Sequence, residues 1–256
     1  MRTGIDIGSR YTKLAYYAGS NKLTLQKFDT VRFYREYGAA KGDSISILWD
    51  RLGLSPNCEI VATGYGRERA RLSGATEIPE IKAHVLGAQK MLGIGTFTLA
   101  DLGGQDVKII RVECGRIADF HTSDRCAAST GRFLENMARI LGISDEELSR
   151  HWENPAHLSA TCAVFAESEL LDMLSRGHSI ASLAAGVNYA AVKKFAPMIC
   201  RFPLDVLLAS GGVAMSDGII ILLSKELGIS LKVLPEAQFA GAIGCLAMNE
   251  ITREAA

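Results

Sequence analysis

Two short stretches of the chain carry the same set of residues for phosphate chemistry. GIDIGSRYTK begins at Gly4 and LADLGGQDVK begins at Leu99, and a constant offset of 95 positions aligns them. In each, a short apolar run ends in Asp-x-Gly, and a lysine follows. The aligned pairs are Asp6 with Asp101, Gly8 with Gly103, and Lys13 with Lys108. Carboxylates hold hydrated Mg2+, and glycine N–H groups and the Ser9 hydroxyl bind phosphate oxygens, so the two stretches predict a site for a nucleotide triphosphate.

The second stretch adds groups suited to hydrolysis. Gln105 and Asp106 directly follow DLGG, where Gln105 is placed to orient an attacking water. Asp and Gly are also common in ordinary strand-end turns, which is the simpler interpretation of either stretch alone. The two aligned copies, together with the SGG at 210–212, favour the phosphate-binding interpretation. Lys108 fits an exposed strand lysine and is not assigned to the site.

A second pair of similar stretches extends the duplication. IVATGYG at 60–66 resembles VLLASGG at 206–212, because in both a buried-type strand runs into small residues and glycine. The second half is longer by 52 residues, and this insertion contains Cys126 and Cys162. Each half is predicted to form three strands, then a helix, a strand and a helix. The predicted hairpins span 4–17 and 98–121, and the predicted helices span 132–141, 144–148, 165–176, 180–196, 214–227 and 237–250.

The composition excludes some classes of protein. The chain has 256 residues, 48% of them hydrophobic, with 28 basic and 28 acidic side chains. The balanced charge gives no support to nucleic-acid binding or to binding of an anionic membrane surface. No apolar run reaches the roughly 18–20 residues of a membrane span, and MRTGIDIGSR at the start lacks the apolar core of a signal peptide. We therefore expect a cytoplasmic protein.

Six motifs, in this order along nearly the whole chain, are GIDIGS, DLGGQDVK, CAASTGRFLE, TCAVFAESE, SGGVA and PEAQFAGAIG. Together they resemble the activator components of 2-hydroxyacyl-CoA dehydratases, a family shared with the ATPase subunits of benzoyl-CoA reductases. The resemblance implies an α/β protein of the actin, sugar-kinase and acetate-kinase fold, with two ribonuclease H-like domains around an ATP cleft. We expect an N-terminal domain at 1–93, a C-terminal domain carrying the cysteines at 94–234, and a last helix at 235–256 that packs back toward the first domain.

The resemblance and the chemistry together imply a role for particular residues. Asp6 and Asp101 are the expected magnesium-organising carboxylates, and Gln105 is expected to position the hydrolytic water. The residues expected to bind the nucleotide are Ser9, Arg10, Thr12, Lys13, Gly103, Gly104, Gly131, Glu167, Gly211, Gly212 and Gln238. Two of these have alternatives, since Glu167 could instead pair with Arg132, and Gln238 could be a surface residue.

The resemblance also places ligands of a [4Fe-4S] cluster at Cys126 and Cys162. Both cysteines precede predicted helices, whose positive N-terminal ends favour thiolates. A four-iron cluster takes about four thiolates, and a two-fold dimer supplies two from each chain, so one cluster per homodimer is implied. Zinc is the alternative metal, with His121 and His157 as the candidate further ligands, but these are expected in a strand and a surface loop. The other cysteines, Cys58, Cys114, Cys200 and Cys245, match no motif and are expected to be structural.

The activity implied by the resemblance is ATP hydrolysis coupled to transfer of a low-potential electron. The electron would come from a ferredoxin or a flavodoxin and pass to an iron–sulfur partner, such as a 2-hydroxyacyl-CoA dehydratase. Within the family, the partner could instead resemble benzoyl-CoA reductase or a double-cluster reductase. Outside it, the alternatives are a small-molecule kinase of the same fold and a nucleotide-switched assembly protein resembling actin.

The chain departs from the family pattern at three places. Arg10 stands where relatives commonly have Thr, and Ser129 stands where they usually have Gly. Ser216 or Asp217 replaces an Asn that is common after GGVA. None of these changes removes a key aspartate or a cysteine, although the first alters the charge of the first phosphate turn.

Overall fold

A computed structural model of the chain describes residues 2–18, 22–55, 58–64, 71–123, 131–159 and 163–254. These residues form two compact units. The first unit contains residues 1–95 and 239–256, and the second contains residues 96–238. Each unit is built around its own mixed sheet.

The strands are β1 (Arg2–Ile7), β2 (Tyr11–Ala18), β3 (Lys22–Asp29), β4 (Gly38–Lys41), β5 (Ser44–Ile47), β6 (Glu59–Thr63), β7 (Arg71–Leu72), β8 (Ala75–Glu77), β9 (Phe97–Leu102), β10 (Val107–Glu113), β11 (Arg116–Thr122), β12 (Leu207–Ser210) and β13 (Lys232–Val233). The helices are α1 (Thr30–Tyr37), α2 (Glu80–Leu92), α3 (Gly131–Leu141), α4 (Asp145–Ser149), α5 (Ala163–Ser175), α6 (Ile180–Ile199), α7 (Asp217–Leu227) and α8 (Ala240–Glu254). Short 3-10 turns lie at Trp49–Leu52, Val213–Met215 and Ala237–Phe239.

The two five-stranded sheets have the same topology. Their orders are β3-β2-β1-β6-β8 and β11-β10-β9-β12-β13. In each, the first three strands of the unit form an antiparallel meander, and two parallel strands then extend the sheet beyond the central strand. The central strand β9 is buried along its whole length, and β1 along all but its first residue. The duplication of the sequence is therefore also a duplication of the fold.

Some elements differ from the sequence-based expectation. The first unit contains a three-stranded sheet, β4-β5-β7, and each main sheet ends in a very short parallel strand, β8 or β13. These strands have two to four residues, which is too short for a hydrophobic period to be recognisable. The helix predicted over 214–227 begins later, because Ser216 caps α7 by accepting a hydrogen bond from the N–H of Ile219.

Helix α8 packs on α2 at very close range. A Cβ atom on Gly244 would overlap the carbonyl oxygen of Ala83, and one on Gly87 would overlap that of Ala240. The other side of α8 lies on β1, where Gly4 leaves similar space for Ala242. These glycines allow the backbones of α2, α8 and β1 to approach each other. No helix in the described ranges is long and apolar enough to cross a membrane.

The close approach of α2 and α8 gives a prediction for stability. Gly244→Ala adds a methyl group where backbone atoms already touch, so we expect the free energy of unfolding to fall by about 1–3 kcal/mol. Gly212→Ala is the control, because Gly212 has a helical φ of −68° and open space around it. Its effect should stay within about 0.5 kcal/mol. Urea denaturation measures both, and equal stability of Gly244→Ala and the wild type would contradict the packing described.

Candidate functional site

The first half-site is a buried ion pair at the end of β1. Asp6 lies opposite Lys13 in the register of β1 and β2, so the two side chains share one face of the sheet. Lys13 Nζ donates to Asp6 Oδ2 at 3.1 Å, and Asp6 is only 2% exposed. A buried carboxylate needs such a partner, because its desolvation is otherwise very unfavourable.

The turn after Asp6 is held by backbone and threonine contacts. The N–H of Gly8 donates to the carbonyl of Tyr11 at 3.1 Å, and the hydroxyl of Thr30 donates to the carbonyl of Gly8 at 2.8 Å. Thr12, predicted to bind the nucleotide, is fully buried, with its hydroxyl 3.1 Å from that of Thr30. Since Thr30 uses its proton on Gly8, Thr12 donates to Thr30. In this structure Thr12 therefore stabilises the turn indirectly, through the hydroxyl of Thr30.

Ser9 and Arg10 form the tip of the same turn, and both are half-buried. Arg10 Nη1 donates to Asp29 Oδ2 at 2.7 Å, and its guanidinium lies 5.1 Å from the centre of the Tyr11 ring. Asp29 also caps α1 by accepting from the N–H of Arg32. The arginine that distinguishes this turn is thus anchored to the start of α1.

The second half-site repeats this arrangement in the second unit. Lys108 lies opposite Asp101 in the register of β10 and β9, with Nζ 3.8 Å from Asp101 Oδ2. The N–H of Gly103 donates to the carbonyl of Asp106 at 3.1 Å, at the position equivalent to Gly8 and Tyr11. Lys108 Nζ also contacts Asp106 Oδ1 at 2.7 Å. Lys108 is 5% exposed, so its interpretation as an exposed strand lysine was wrong.

A left-handed glycine closes each half-site from the neighbouring parallel strand. Gly64 has a φ of +102° and Gly211 a φ of +91°, which a residue with a Cβ rarely adopts. A Cβ at either position would also lie 2.8 Å from Oδ1 of the local aspartate, Asp6 or Asp101. Each glycine therefore lets the end of its strand pass close to the buried carboxylate.

The residues before these glycines differ between the units. Ser210 donates its hydroxyl to Asp101 Oδ1 at 3.1 Å. Thr63, which lies opposite Asp6 in the register of β6 and β1, donates instead to the carbonyl of Ile78 at 2.9 Å. Each carboxylate thus pairs with a lysine of its own unit. Of the two residues before the glycines, Ser210 donates to its aspartate and Thr63 does not.

Helix α3 is attached directly to the second turn. The N–H of Gly131 donates to the carbonyl of Gly103 at 3.1 Å, and the N–H of Arg132 donates to that of Gly104 at 3.0 Å. Two N–H groups that a helix start leaves without intrahelical partners are thus satisfied by the turn. The start of α3 is thus fixed directly to this turn.

The other predicted site residues have different positions. Gln105 is half-buried in the second turn, and Gly211 donates its N–H to the carbonyl of Ala237, next to Gln238. Gly212 begins the 3-10 turn that follows β12. Glu167 lies half-buried on α5, and no hydrogen bond or ion pair of the described residues joins it to either turn. Its alternative partner Arg132 is paired with Glu135 at 3.2 Å.

The two predicted cluster ligands, Cys126 and Cys162, lie outside the described residues. The helices that follow them begin at Gly131 and Ala163, and Ser129 is likewise outside the described ranges. Zinc ligation by these cysteines is therefore not tested, but His121 lies in β11 and His157 in an exposed loop, as expected.

The remaining cysteines are free thiols in two kinds of environment. Cys58 and Cys245 are buried, and Cys114 and Cys200 are exposed. Burial, and then the negative charge of Asp6, raise the pKa of the Cys245 thiol well above its ordinary value. This thiol, on α8, donates to the carbonyl oxygen of Ile5 at 3.8 Å.

Sequence reasoning missed two residues of the half-sites. The offset of 95 already aligned Lys108 with Lys13, so the signal was present but was not used. The role of Ser210 could not be read from the aligned residue of the first half. That residue, Thr63, donates to the carbonyl of Ile78 and not to an aspartate.

Comparison with known proteins agrees with this architecture. Residues 3–248 match the BadF/BadG/BcrA/BcrD ATPase family, so the chain belongs to that family. It is 35% identical to an uncharacterised Escherichia coli protein, YjiL, over 98% of this chain and 97% of the relative. It is 33% identical to the (R)-2-hydroxyglutaryl-CoA dehydratase activating ATPase of Acidaminococcus fermentans, over 94% of each chain.

A solved structure gives the same assignment. The activator of the 2-hydroxyisocaproyl-CoA dehydratase from Clostridium difficile, with bound ADPNP, superposes with a TM-score of 0.83 and is 29% identical. The similarity covers 99% of this chain and 96% of the other. The resemblance and the actin-like α/β fold predicted from the sequence are thus confirmed, and the protein is a member of an ATPase family.

The lysine of the second half-site gives a prediction for stability. Lys108→Met removes the buried cation that contacts Asp106 at 2.7 Å and Asp101 at 3.8 Å, so we expect the free energy of unfolding to fall by about 3–5 kcal/mol. Adding Asp101→Asn to this variant should restore part of the loss, because the buried charge is then also removed. Lys232→Met, at an exposed lysine in the same sheet, is the control. Chemical denaturation of all four proteins measures this, and a Lys108→Met variant as stable as the control would contradict the pairing.

The cysteine environments give a prediction for reactivity. In the native chain at pH 8, we expect a thiol reagent to modify Cys114 and Cys200 rapidly and Cys245 only after unfolding, because the reactive species is the thiolate. Peptide mapping by mass spectrometry after timed alkylation measures each site separately. Modification of Cys245 at the rate of Cys200 would show that Cys245 is accessible and ionised, contrary to the structure.

Proposed function

We propose that the chain activates an iron–sulfur 2-hydroxyacyl-CoA dehydratase by an electron transfer that ATP hydrolysis drives. Two copies of the chain hold one [4Fe-4S] cluster through Cys126 and Cys162. A ferredoxin or flavodoxin reduces the dimer, and the dimer passes one electron to the partner enzyme. The observation that carries the proposal is the direct attachment of α3, the helix after the Cys126 segment, to the Gly103–Gly104 turn.

Nucleotide binding is assigned to the strand-end turns of both units. Their N–H groups and glycines suit phosphate oxygens, and the ADPNP in the similar activator structure supports a triphosphate ligand. Asp6 and Asp101 would be the residues that hold a hydrated Mg2+ ion, because carboxylate oxygens are its usual protein ligands. Ser9, Arg10 and Lys13 add donors from the first turn.

The chemical step requires positioning and charge stabilisation. Gln105, half-buried beside Gly104, orients the water that attacks the terminal phosphate. Lys13 and Lys108 balance negative charge that develops on the phosphate oxygens, while they also hold the two aspartates in place. The products are ADP and inorganic phosphate, and their release returns the turns to their starting state.

The coupling step is mechanical. Hydrolysis changes what the Gly103–Gly104 turn binds, and the bonds from Gly131 and Arg132 transmit that change to α3. ATP and ADP then favour different positions of α3, because they differ in their contacts with the turn. The cluster, when bound, supplies a one-electron couple of low potential. Cys126 and Cys162 would hold the cluster, and a shift of α3 would act on the chain next to Cys126 in sequence.

A dehydratase is favoured over a benzoyl-CoA reductase as the partner. The characterised relative of 33% identity and the activator with a TM-score of 0.83 are both named for 2-hydroxyacyl-CoA dehydratases. A benzoyl-CoA reductase component from Thauera aromatica is 28% identical. A small-molecule kinase of the same fold becomes the conclusion if the chain transfers phosphate to a small substrate without holding iron.

The cysteine ligands are tested by iron content under anaerobic conditions. We expect the wild-type chain to be a brown dimer with about four iron atoms per dimer. Cys126→Ala and Cys162→Ala should each lose the iron and the electron transfer to a dehydratase. Cys114→Ala and Cys200→Ala are matched controls, because they remove exposed cysteines of the same chain and should keep both properties.

The readouts are iron and sulfide analysis, electron paramagnetic resonance and sedimentation velocity. A colourless, iron-free wild-type monomer would overturn the proposal. Full iron content in Cys126→Ala would overturn the ligand assignment. ATPase activity in the iron-free variants agrees with the proposal, since hydrolysis takes place at the turns.

A further inference from the structure

The guanidinium of Arg10 lies on the face of the first sheet that carries Asp6 and Lys13. Tyr11 is two residues before Lys13 in β2, so the two side chains share this face and are roughly 7 Å apart along the strand. Asp29 lies opposite Tyr11 in the register of β2 and β3, and therefore shares the face too. Arg10 Nη1 donates to Asp29 Oδ2 at 2.7 Å, and its guanidinium lies 5.1 Å from the centre of the Tyr11 ring. The positive charge of Arg10 is thus held beside the first half-site.

The internal duplication gives Arg10 a counterpart in the second turn. The offset of 95 aligns Arg10 with Gln105, and the same bond from a glycine N–H to a carbonyl three residues later closes both turns. Gln105 is the residue proposed above to orient the water that attacks the terminal phosphate. Arg10 therefore occupies, in the first turn, the position from which the second turn is proposed to act on the ligand.

We propose that Asp29 determines the affinity of the first turn for the nucleotide: it holds Arg10 in the free chain and loses it to a phosphate oxygen of the bound triphosphate. This rests on the nucleotide site proposed for the turn. The side chains of Arg10 and Asp29 are 39% and 36% exposed, so their ion pair is of the weak, solvent-screened kind. Contacts between a guanidinium and a phosphate are stronger, because they are charge-assisted and frequently bidentate.

The exchange leaves Asp29 with a second favourable contact. Its Oδ1 accepts from the N–H of Arg32 and caps α1, where the helix N-terminus favours a negative charge. The pair of Asp6 and Lys13 is different, because its side chains are 3% and 15% exposed, and separation would leave a buried carboxylate without its cation. Of these two cations, Arg10 is the one that can change its partner at low cost.

Calorimetric titration of the full chain with ADPNP and Mg2+ tests the competition. Asp29→Asn removes the competing charge and keeps a side chain that caps a helix equally well, so we expect the affinity to rise by about 2–5-fold. Arg10→Gln should lower the affinity by about ten-fold, because a charge-assisted contact with phosphate is lost. In the double variant, Asp29→Asn should have no further effect, since the cation that it competes for is absent.

Glu36→Gln is the matched control for the loss of a negative charge. Glu36 is an acid of the same helix, its side chain is 42% exposed, and it pairs with Arg32 at 2.7 Å. Because solvent and salt screen such a charge, the affinity of this variant should stay within about two-fold of the wild type. Thermal unfolding shows whether each variant is folded.

A spectroscopic test reports on the ion pair itself. In the full chain labelled with 15N-arginine, Arg10→Gln identifies the Nε signal of Arg10 by its loss. Asp29→Asn should shift this signal in the free chain, and ADPNP with Mg2+ should shift it in the wild type. A signal that moves in Asp29→Asn but stays in place when the nucleotide binds would show that Arg10 remains on Asp29, contrary to the proposal.

The outcomes separate this inference from the proposed function. A folded Asp29→Asn variant with unchanged or lower affinity overturns the inference, and so does an equal gain in the Arg10→Gln background, since Asp29 would then act without Arg10. In each of these cases the nucleotide site and the iron-based proposal stand. A wild type that does not bind ADPNP overturns both the nucleotide site and the inference. An iron-free chain that shows the expected affinities supports the inference and overturns the electron-transfer proposal.

Discussion

The structure depends on one constraint that occurs twice: an aspartate buried at the end of a central strand must be neutralised by a lysine from the adjacent antiparallel strand. Asp6 with Lys13 and Asp101 with Lys108 satisfy this constraint in the same register. The turn between aspartate and lysine is short, and the N–H of its first glycine, Gly8 or Gly103, donates to the carbonyl three residues later. A left-handed glycine, Gly64 or Gly211, is required on the parallel side, since any Cβ would collide with the carboxylate.

This arrangement places the turns that are proposed to bind phosphate beside the residues that hold the central strands together. A ligand on the second turn therefore acts on backbone that also carries the first N–H bonds of α3. The first unit has a related connection, since the N–H of Thr30, the first residue of α1, donates to the carbonyl of Arg10 at 3.0 Å, and Arg10 pairs with Asp29. A helix start is thus bonded to the turn in each unit, and in the second unit that helix, α3, begins at Gly131, a few residues after Cys126 in the sequence.

Much of this organisation was visible in the sequence, and the parts that were not have physical reasons. The duplication, the strand-end aspartates and the helices around the cysteines follow from local patterns and spacing. The buried position of Lys108 required the register of β9 and β10, although its alignment with Lys13 already indicated it. The sheet of β4, β5 and β7 consists of strands too short for a period. The close approach of α2 and α8 depends on glycines from distant parts of the chain, which no local pattern reveals.

The central proposal is that the strand-end turns after Asp6 and Asp101 bind the nucleotide, and calorimetric titration with ADPNP and Mg2+ tests it most directly. The account predicts one nucleotide per chain, with an affinity that falls by about ten-fold or more in Asp6→Asn and, separately, in Asp101→Asn. Two independent binding events per chain, each abolished by only one of the substitutions, would contradict it. So would an unchanged affinity in either variant, because the corresponding turn would then take no part in binding.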